Sequence, residues 1–250
     1  MNWLKKSYLK IDLLMNAKEA IVLAGGLGTR LQSVLPETPK CMAPVKGIPF
    51  LVYVLDYLIT QNISKVILSV SYRKEQIINY FGNKYKSLFI EYAVDEIPMG
   101  TGGALRFASK YCSQDEVFVI NGDTYFIPDL EALQGTHRQV SADITIAVKY
   151  MQEPDRYGVV QMDKSGRITD FKEKDRVTGS GWINGGIYLI NRQVLNALPE
   201  QKFSLENDVF KVSCSAMRLQ AFQTETFFLD MGIPEDYERA QSMISIAGEL

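Results

Sequence analysis

The chain has 250 residues, 46% hydrophobic and 22% charged, the balance of a folded globular protein long enough to bury a sizeable core without staples. Its 27 basic and 29 acidic residues leave a net charge of −2, which argues against a nucleic-acid polymer as partner, because such binders carry a basic surplus. The cysteines Cys41, Cys112 and Cys214 form no C-x-x-C pair, so neither a disulfide framework nor a zinc cluster is expected.

Residues 1–16 mix lysines with Leu4, Tyr8, Leu9, Ile11, Leu13 and Leu14 and read as an extension, amphipathic as a helix, ahead of a domain over 17–250. Asp12 interrupts the apolar run and no small-residue cleavage site follows, which argues against a signal peptide. No apolar run is long enough to span a bilayer, so a cytoplasmic location without a membrane partner is expected.

Residues 20–24 form a short apolar run ending in glycines. After Pro49, Leu51, Val54, Leu55, Leu58 and Ile59 repeat at helical spacing. Residues 65–70 read as a strand, and Ile77, Ile78 and Phe81 as a short helix closed by Gly82. Residues 89–94 alternate like a strand, 101–111 look helical, and 117–120 form a buried strand stopped by Asn121-Gly122. This β-α-β-α-β rhythm predicts an α/β fold of Rossmann-like type, a mostly parallel sheet with helices on both faces. In the second half, 143–150 alternate, and 158–162 and 168–172 flank a hairpin signal at Asp163 to Gly166. Residues 183–190 read as a further strand, 204–212 and 234–246 as helices, the latter with Pro234, Glu235 and Asp236 in its first turn. One continuous domain with a mixed sheet is expected. The single histidine, His137, lies in a polar stretch without a nucleophile motif such as G-x-S-x-G, and is expected at the surface.

The most informative stretch is L-A-G-G-L-G-T-R-L at 23–31, followed by Pro39-Lys40. A strand runs into a glycine-rich turn in which Gly25, Gly26 and Gly28 let backbone N–H groups approach an anion. Arg30 adds a forked donor and Lys40 a point charge, a combination suited to a polyphosphate. It is not a P-loop, since Gly-Lys-Ser/Thr is absent, nor a G-x-G-x-x-G dinucleotide fingerprint, since position 31 is leucine.

Residues 23–40 resemble the G-G-x-G-T-R-L…P-K signature of sugar-1-phosphate nucleotidyltransferases. Further segments are similar in order: P-M-G-T-G-G-A at 98–104, N-G-D ending at Asp123, F-K-E-K at 171–174, N-G-G-I-Y at 184–188, and D-M-G-I-P-E-D-Y at 230–237. The resemblance covers residues 18–241 and implies a single nucleotidyltransferase domain without a C-terminal β-helix. Pro44, F-S-L-E at 203–206 and residues 230–236 are most similar to the D-glycero-D-manno-heptose-1-phosphate guanylyltransferases. The implied reaction joins an NTP, expected to be GTP, to a sugar 1-phosphate and releases pyrophosphate.

A phosphate oxygen attacks the α-phosphorus, and it is already ionised near neutral pH because its second pKa is ~6. No general base is required; the protein must supply positive charge and alignment. Asp123 and Asp230 each follow an apolar strand and are the expected Mg²⁺ ligands, on two strand ends of one sheet. The resemblance places Arg30 and Lys40 on the β- and γ-phosphates, with Leu23, Ala24, Thr29, Gly100 and Thr101 also around the nucleotide. It places Lys174 on the sugar 1-phosphate, and Tyr157, Gly158, Glu173, Asn184 and Gly185 around the sugar. The resemblance places residues 92–96 where the base edge is read, and a carboxylate at Asp95 matches N1–H and N2–H of guanine, a pair that uracil and thymine do not offer. Cys41 follows Lys40 where relatives have proline and is read as an ordinary small side chain.

Two other readings stay open at this point. One is a uridylyl-, thymidylyl- or cytidylyltransferase acting on a hexose or hexosamine 1-phosphate. The other is a non-catalytic nucleotide-sugar sensor, disfavoured because Arg30, Lys40, Asp123 and Asp230 are all present. A glycosyltransferase would need a D-x-D motif, and Asp123 is followed by Thr124-Tyr125. A homo-oligomer is compatible with the sequence.

Overall fold

The computed structural model describes residues 18–26, 31, 34–154, 156–172 and 179–244; the expected extension over 1–16 lies outside them. β1 (Lys18–Leu23) is buried from Glu19 to Val22 and lies inside a ten-stranded sheet. A small hairpin follows, β2 (Pro44–Val45) and β3 (Ile48–Pro49). Lys46 and Gly47 turn it with φ of 48° and 78°, the left-handed pair that a two-residue hairpin requires. α1 (Phe50–Thr60) starts directly after Pro49 and buries every residue from Phe50 to Leu58, as a helix that is apolar all round must.

β4 (Ile63–Val70), α2 (Lys74–Phe81), β5 (Lys84–Tyr85), β6 (Leu88–Val94), α3 (Gly100–Ala108) and β7 (Glu116–Asn121) continue the expected alternation. β8 (Thr124–Phe126) and α4 (Leu130–Gln139) lead into β9 (Ile144–Met151), β10 (Val159–Met162), β11 (Ile168–Lys172) and β12 (Gly181–Asn191). The chain closes with α5 (Arg192–Ala197), a π-helical turn over Leu205–Phe210, β13 (Leu219–Thr224), β14 (Phe228–Asp230) and α6 (Pro234–Met243).

The sheet runs β11-β10-β12-β7-β1-β4-β6-β5, with β9 bridging β12 and β13. β7, β1, β4 and β6 are parallel; β12 turns antiparallel to β7 and β9. The parallel strands are apolar runs because both their faces are covered. Ala20 and Val22 of β1 enter one core with α1, while Ile21 enters the other. β4 divides Val66 and Leu68 from Ile67 in the same way, and β7 divides Phe118 and Ile120 from Val117 and Val119. Each such side chain contributes about 1.5–3 kcal/mol when withdrawn from water. The hairpin expected around Asp163 forms: β10 and β11 pair antiparallel, and Asp163 Oδ1 accepts from the Ser165 N–H at 2.8 Å. Among the described residues, no helix is long and apolar enough to cross a membrane.

Three features depart from the sequence expectations. His137 is not a surface residue: it is 2% exposed, with Nδ1 2.8 Å from the Thr145 hydroxyl and Nε2 3.1 Å from Asn191 Oδ1. Its neighbours in sequence are polar because they face out, whereas Leu130, Leu133 and His137 share the inward stripe of α4. Residues 204–212 are not a regular helix but are wound as a π turn, started by Ser204, whose hydroxyl accepts from the Asn207 N–H at 3.2 Å. Asp230 ends a strand, but not one of the main sheet: β14 pairs only with β8, as a separate two-stranded ribbon.

Candidate active site

A cleft of about 740 Å³ opens over the carboxyl ends of the four parallel strands. Leu23 ends β1 and Ala24 to Gly26 follow it, Ser69 lies in β4 and Ser71 just after it, Asp95 follows β6, and Asn121 ends β7 with Gly122 and Asp123 after it; all of them line it. Ligands collect at such ends because successive loops splay apart there and leave a crevice. The loops are tied by backbone hydrogen bonds: Ala24 N–H to Ser69 O at 2.8 Å, Gly122 N–H to Leu23 O at 2.9 Å, and Asp95 N–H to Val70 O at 2.9 Å. A Cβ on Gly26 would meet nothing within 4 Å among the described residues, which leaves space above this backbone for a ligand.

Asp123 sits in the turn between β7 and β8. The β8–β14 ribbon places Thr124 opposite Asp230, and the Met231 N–H donates to the Asp123 carbonyl at 2.9 Å. The two carboxylates therefore face one point. Lys40 occupies it, donating to Asp123 Oδ2 at 2.7 Å and lying 3.6 Å from Asp230 Oδ1. Here the Lys40 ammonium balances the two carboxylates, and two acidic oxygens on one point are chemically suited to a dication as well. Among the described residues no third His, Cys, Asp or Glu completes a cluster. That is the donor set Mg²⁺ favours, one or two carboxylates with the remaining positions left to phosphate and water oxygens. Burial pushes the Asp230 carboxyl above the usual carboxylate range; Lys40 opposes the shift and Asp123 adds to it. Cys41, expected to be an ordinary small side chain, is buried and its thiol is pushed up to about 12, mainly by burial and further by Asp123.

The facing wall holds Tyr157, Gly158, Asn184 and Gly185. The Tyr157 hydroxyl lies 3.4 Å from Asp230 Oδ2. Burial, then the Asp230 charge, push its phenol up, so it stays a donor. Asn184 sits where the β12 register slips against β9. Its Oδ1 accepts from the Gly186 N–H at 2.9 Å and its Nδ2 donates to the Tyr188 hydroxyl at 2.9 Å. Its side chain therefore also shapes the bulge that turns β12 toward the cleft. Gly185 is required by packing: a Cβ there would strike the Phe126 ring and come within 3.0 Å of the Ala147 carbonyl.

The third side joins Gly100 and Thr101 to residues 201–206. Gly100, at φ 70°, lies where a Cβ would run into the Phe203 carbonyl. Gly102 N–H donates to Phe203 O at 3.1 Å, and Phe203 N–H to Met99 O at 3.1 Å. Thr101, expected on the nucleotide, also accepts from the Leu205 N–H at 2.9 Å. This seam brings Lys202 and Glu206 to the cleft.

The structure thus gathers Leu23, Ala24, Gly25, Gly26, Lys40, Asp95, Gly100, Thr101, Asp123, Tyr157, Gly158, Asn184, Gly185 and Asp230 around one cavity. Gly28, Thr29, Arg30, Glu173 and Lys174 lie outside the described residues. Sequence reasoning missed Ser69, Asn121, Arg156, Lys202 and Glu206, which also line it. Asn121 and Glu206 belong to segments already quoted, N-G-D and F-S-L-E, and Arg156 adjoins Tyr157; nothing local marks Ser69 or Lys202.

Residues 19–245 match the nucleotidyl transferase family. The chain is 42% identical over 224 residues to the D-glycero-alpha-D-manno-heptose 1-phosphate guanylyltransferase of Aneurinibacillus thermoaerophilus, covering 89% of this chain and 96% of that protein. It is 39% identical over 220 residues to the enzyme of the same name from Campylobacter jejuni, covering 88% and 96%. The structure of HddC from Yersinia pseudotuberculosis superposes with a TM-score of 0.81 at 34% identity, over 90% of this chain and 98% of that one. The same protein complexed with GMP-PN gives a TM-score of 0.80. With its fold, its loop order and nearly its whole length accounted for, the chain belongs to the nucleotidyl transferase family.

Proposed function

We propose that this chain transfers the guanylyl group of GTP to D-glycero-D-manno-heptose 1-phosphate, giving GDP-heptose and pyrophosphate, with Mg²⁺ as its metal. The observation that carries the reading is the convergence of Asp123 and Asp230 on one cation, between a loop wall open to a phosphate chain and a facing wall of Tyr157, Gly158 and Asn184. The guanylyl and heptose parts draw on two relatives of that stated activity, 42% and 39% identical and matched nearly end to end.

Two anions must meet without a general base. The one histidine agrees with this: His137 is engaged with Thr145 and Asn191, away from the cleft. The backbone of residues 23–28 cradles the triphosphate, with Arg30 and Lys40 on the departing pyrophosphate. Asp95 reads the guanine edge beside Gly100. Lys174 holds the acceptor phosphate, while Glu173, Asn184, Gly158 and Gly185 frame the sugar. Asp123 and Asp230 would hold Mg²⁺, whose charge would screen the repulsion between the reacting phosphates. The test is a matrix of four NTPs against sugar 1-phosphates, read by pyrophosphate release. GTP with heptose 1-phosphate is expected to give the highest kcat/KM. A preference for UTP or dTTP would overturn the guanylyl part and leave nucleotidyl transfer standing.

A further inference from the structure

Asp236 has no role in the proposed reaction, yet it is a buried carboxylate beside the cleft, 3% exposed in the first turn of α6. Its Oδ2 lies 2.6 Å from Arg156 Nη2 and its Oδ1 3.0 Å from Arg239 Nη1. One carboxylate between two guanidiniums leaves a net positive charge. Arg239 lies on the more exposed side of α6, so the charge that reaches the cleft is that of Arg156, which lines it. The Arg156 guanidinium stands 5.5 Å over the Tyr157 ring, and the Tyr157 hydroxyl is 3.4 Å from Asp230 Oδ2. Asp236 and the Tyr157 hydroxyl, 3.4 Å from Nη2, thus hold the Nη2 end of the guanidinium. Among the described residues its Nε and Nη1 make no hydrogen bond. Those N–H groups remain to donate to a phosphate, with the delocalised charge of the guanidinium behind them.

An acceptor phosphate that attacks beside Asp230 must lie next to Tyr157, opposite the glycine loop. We propose that Arg156 grips the phosphate of the incoming sugar 1-phosphate and that Asp236 is its positioning residue. This rests on the nucleotidyl-transfer reading above.

The test is steady-state kinetics and titration calorimetry on the full chain. Arg156→Ala is expected to raise KM for the sugar 1-phosphate about ten- to a hundredfold, the worth of a charge-assisted pair. KM for GTP should stay within about twofold. Arg156→Lys, which keeps the charge and loses the fork, should recover part of the loss. Asp236→Asn should move the same KM in the same direction by less. Equal rises for both substrates, or a lowered Tm with both KM values unchanged, would overturn the assignment. Calorimetry compares mannose 1-phosphate with mannose: the phosphate-dependent gain in affinity should shrink in Arg156→Ala and Arg156→Lys, and an unchanged gain sinks the proposal. If the wild type binds mannose 1-phosphate but releases no pyrophosphate with any pair, the reaction assignment fails while the titration still decides Arg156.

Discussion

The two walls of the cleft are built differently. The wall under the glycine loop ends four parallel strands, and its loops are tied together by backbone bonds such as Ala24 to Ser69, Gly122 to Leu23 and Asp95 to Val70. The facing side comes from a bulged strand, a π turn and a short ribbon, where side chains add ties to the backbone bonds: Asn184 to Tyr188, Leu205 to Thr101, Arg156 to Asp236. A backbone wall presents the same N–H groups to every triphosphate. A side-chain wall can change one residue at a time, and so is where acceptor choice is expected to reside.

The largest effect is expected at the joint between the walls. Asp123→Asn and Asp230→Asn should each lower kcat by about a thousandfold or more, because losing a metal's charge stabilisation costs several kcal/mol. An amide keeps the shape of the carboxylate, so circular dichroism should be unchanged. Near wild-type turnover at limiting Mg²⁺ in either variant would break the metal assignment. Next in size is Arg30→Ala, at the residue proposed for the departing pyrophosphate. Charge builds on the pyrophosphate as it leaves, so Arg30 should favour the transition state over the ground state. The loss should fall on kcat, on the order of a hundredfold or ~3 kcal/mol. A raised KM for GTP with unchanged kcat would mark Arg30 as a uniform binding residue.

How far the site could be read from the sequence follows the same division. Gly25, Gly26, Asp95 and Asp123 lie beside the ends of apolar strands, so local pattern is enough to place them. Lys202 and Glu206 reach the cleft only because Gly100 and Gly102 let the 201–206 segment pack against α3, about a hundred residues away in sequence. No local signal carries that contact. The apolar run before Asp230 does end in a strand there, but its pairing with β8 rather than the main sheet is a long-range choice. His137 was misread because polar neighbours hide the inward stripe of an amphipathic helix. The order of helices and strands around β1, β4, β6 and β7 was legible because an apolar run buried on both faces has few other uses.

Two glycines sharpen the contrast between the walls. Gly185→Ala puts a Cβ onto the Phe126 ring and within 3.0 Å of the Ala147 carbonyl, so overpacking should cost about 1–3 kcal/mol in urea denaturation. Gly26→Ala meets nothing within 4 Å among the described residues and should leave stability unchanged or slightly raised, while weakening GTP binding where a phosphate approaches the backbone. If Gly26→Ala destabilised the fold as much as Gly185→Ala, the first wall would be packed rather than open.

The smallest effect is expected at Asp95, which tests whether the backbone wall carries any base selection. The residue is 8% exposed, and burial pushes its carboxyl above the ordinary range. A raised folded pKa means that ionised Asp95 costs stability above its unfolded pKa and costs none below it. Asp95→Asn should therefore raise Tm at pH 7, and the gain should vanish as the pH falls toward about 4. Function should move the other way. The wild-type carboxylate accepts from both N1–H and N2–H of guanine, whereas ITP lacks the second donor and leaves one oxygen unpaired, costing about 1–3 kcal/mol. The asparagine amide accepts at one atom only, so the kcat/KM ratio of GTP to ITP should shrink by up to about tenfold. A more stable variant with an unchanged ratio would leave Asp95 as a buried charge with no part in recognition. Base choice would then pass to the backbone of residues 23–25 and Gly100, and the first wall would act without any side chain in base selection.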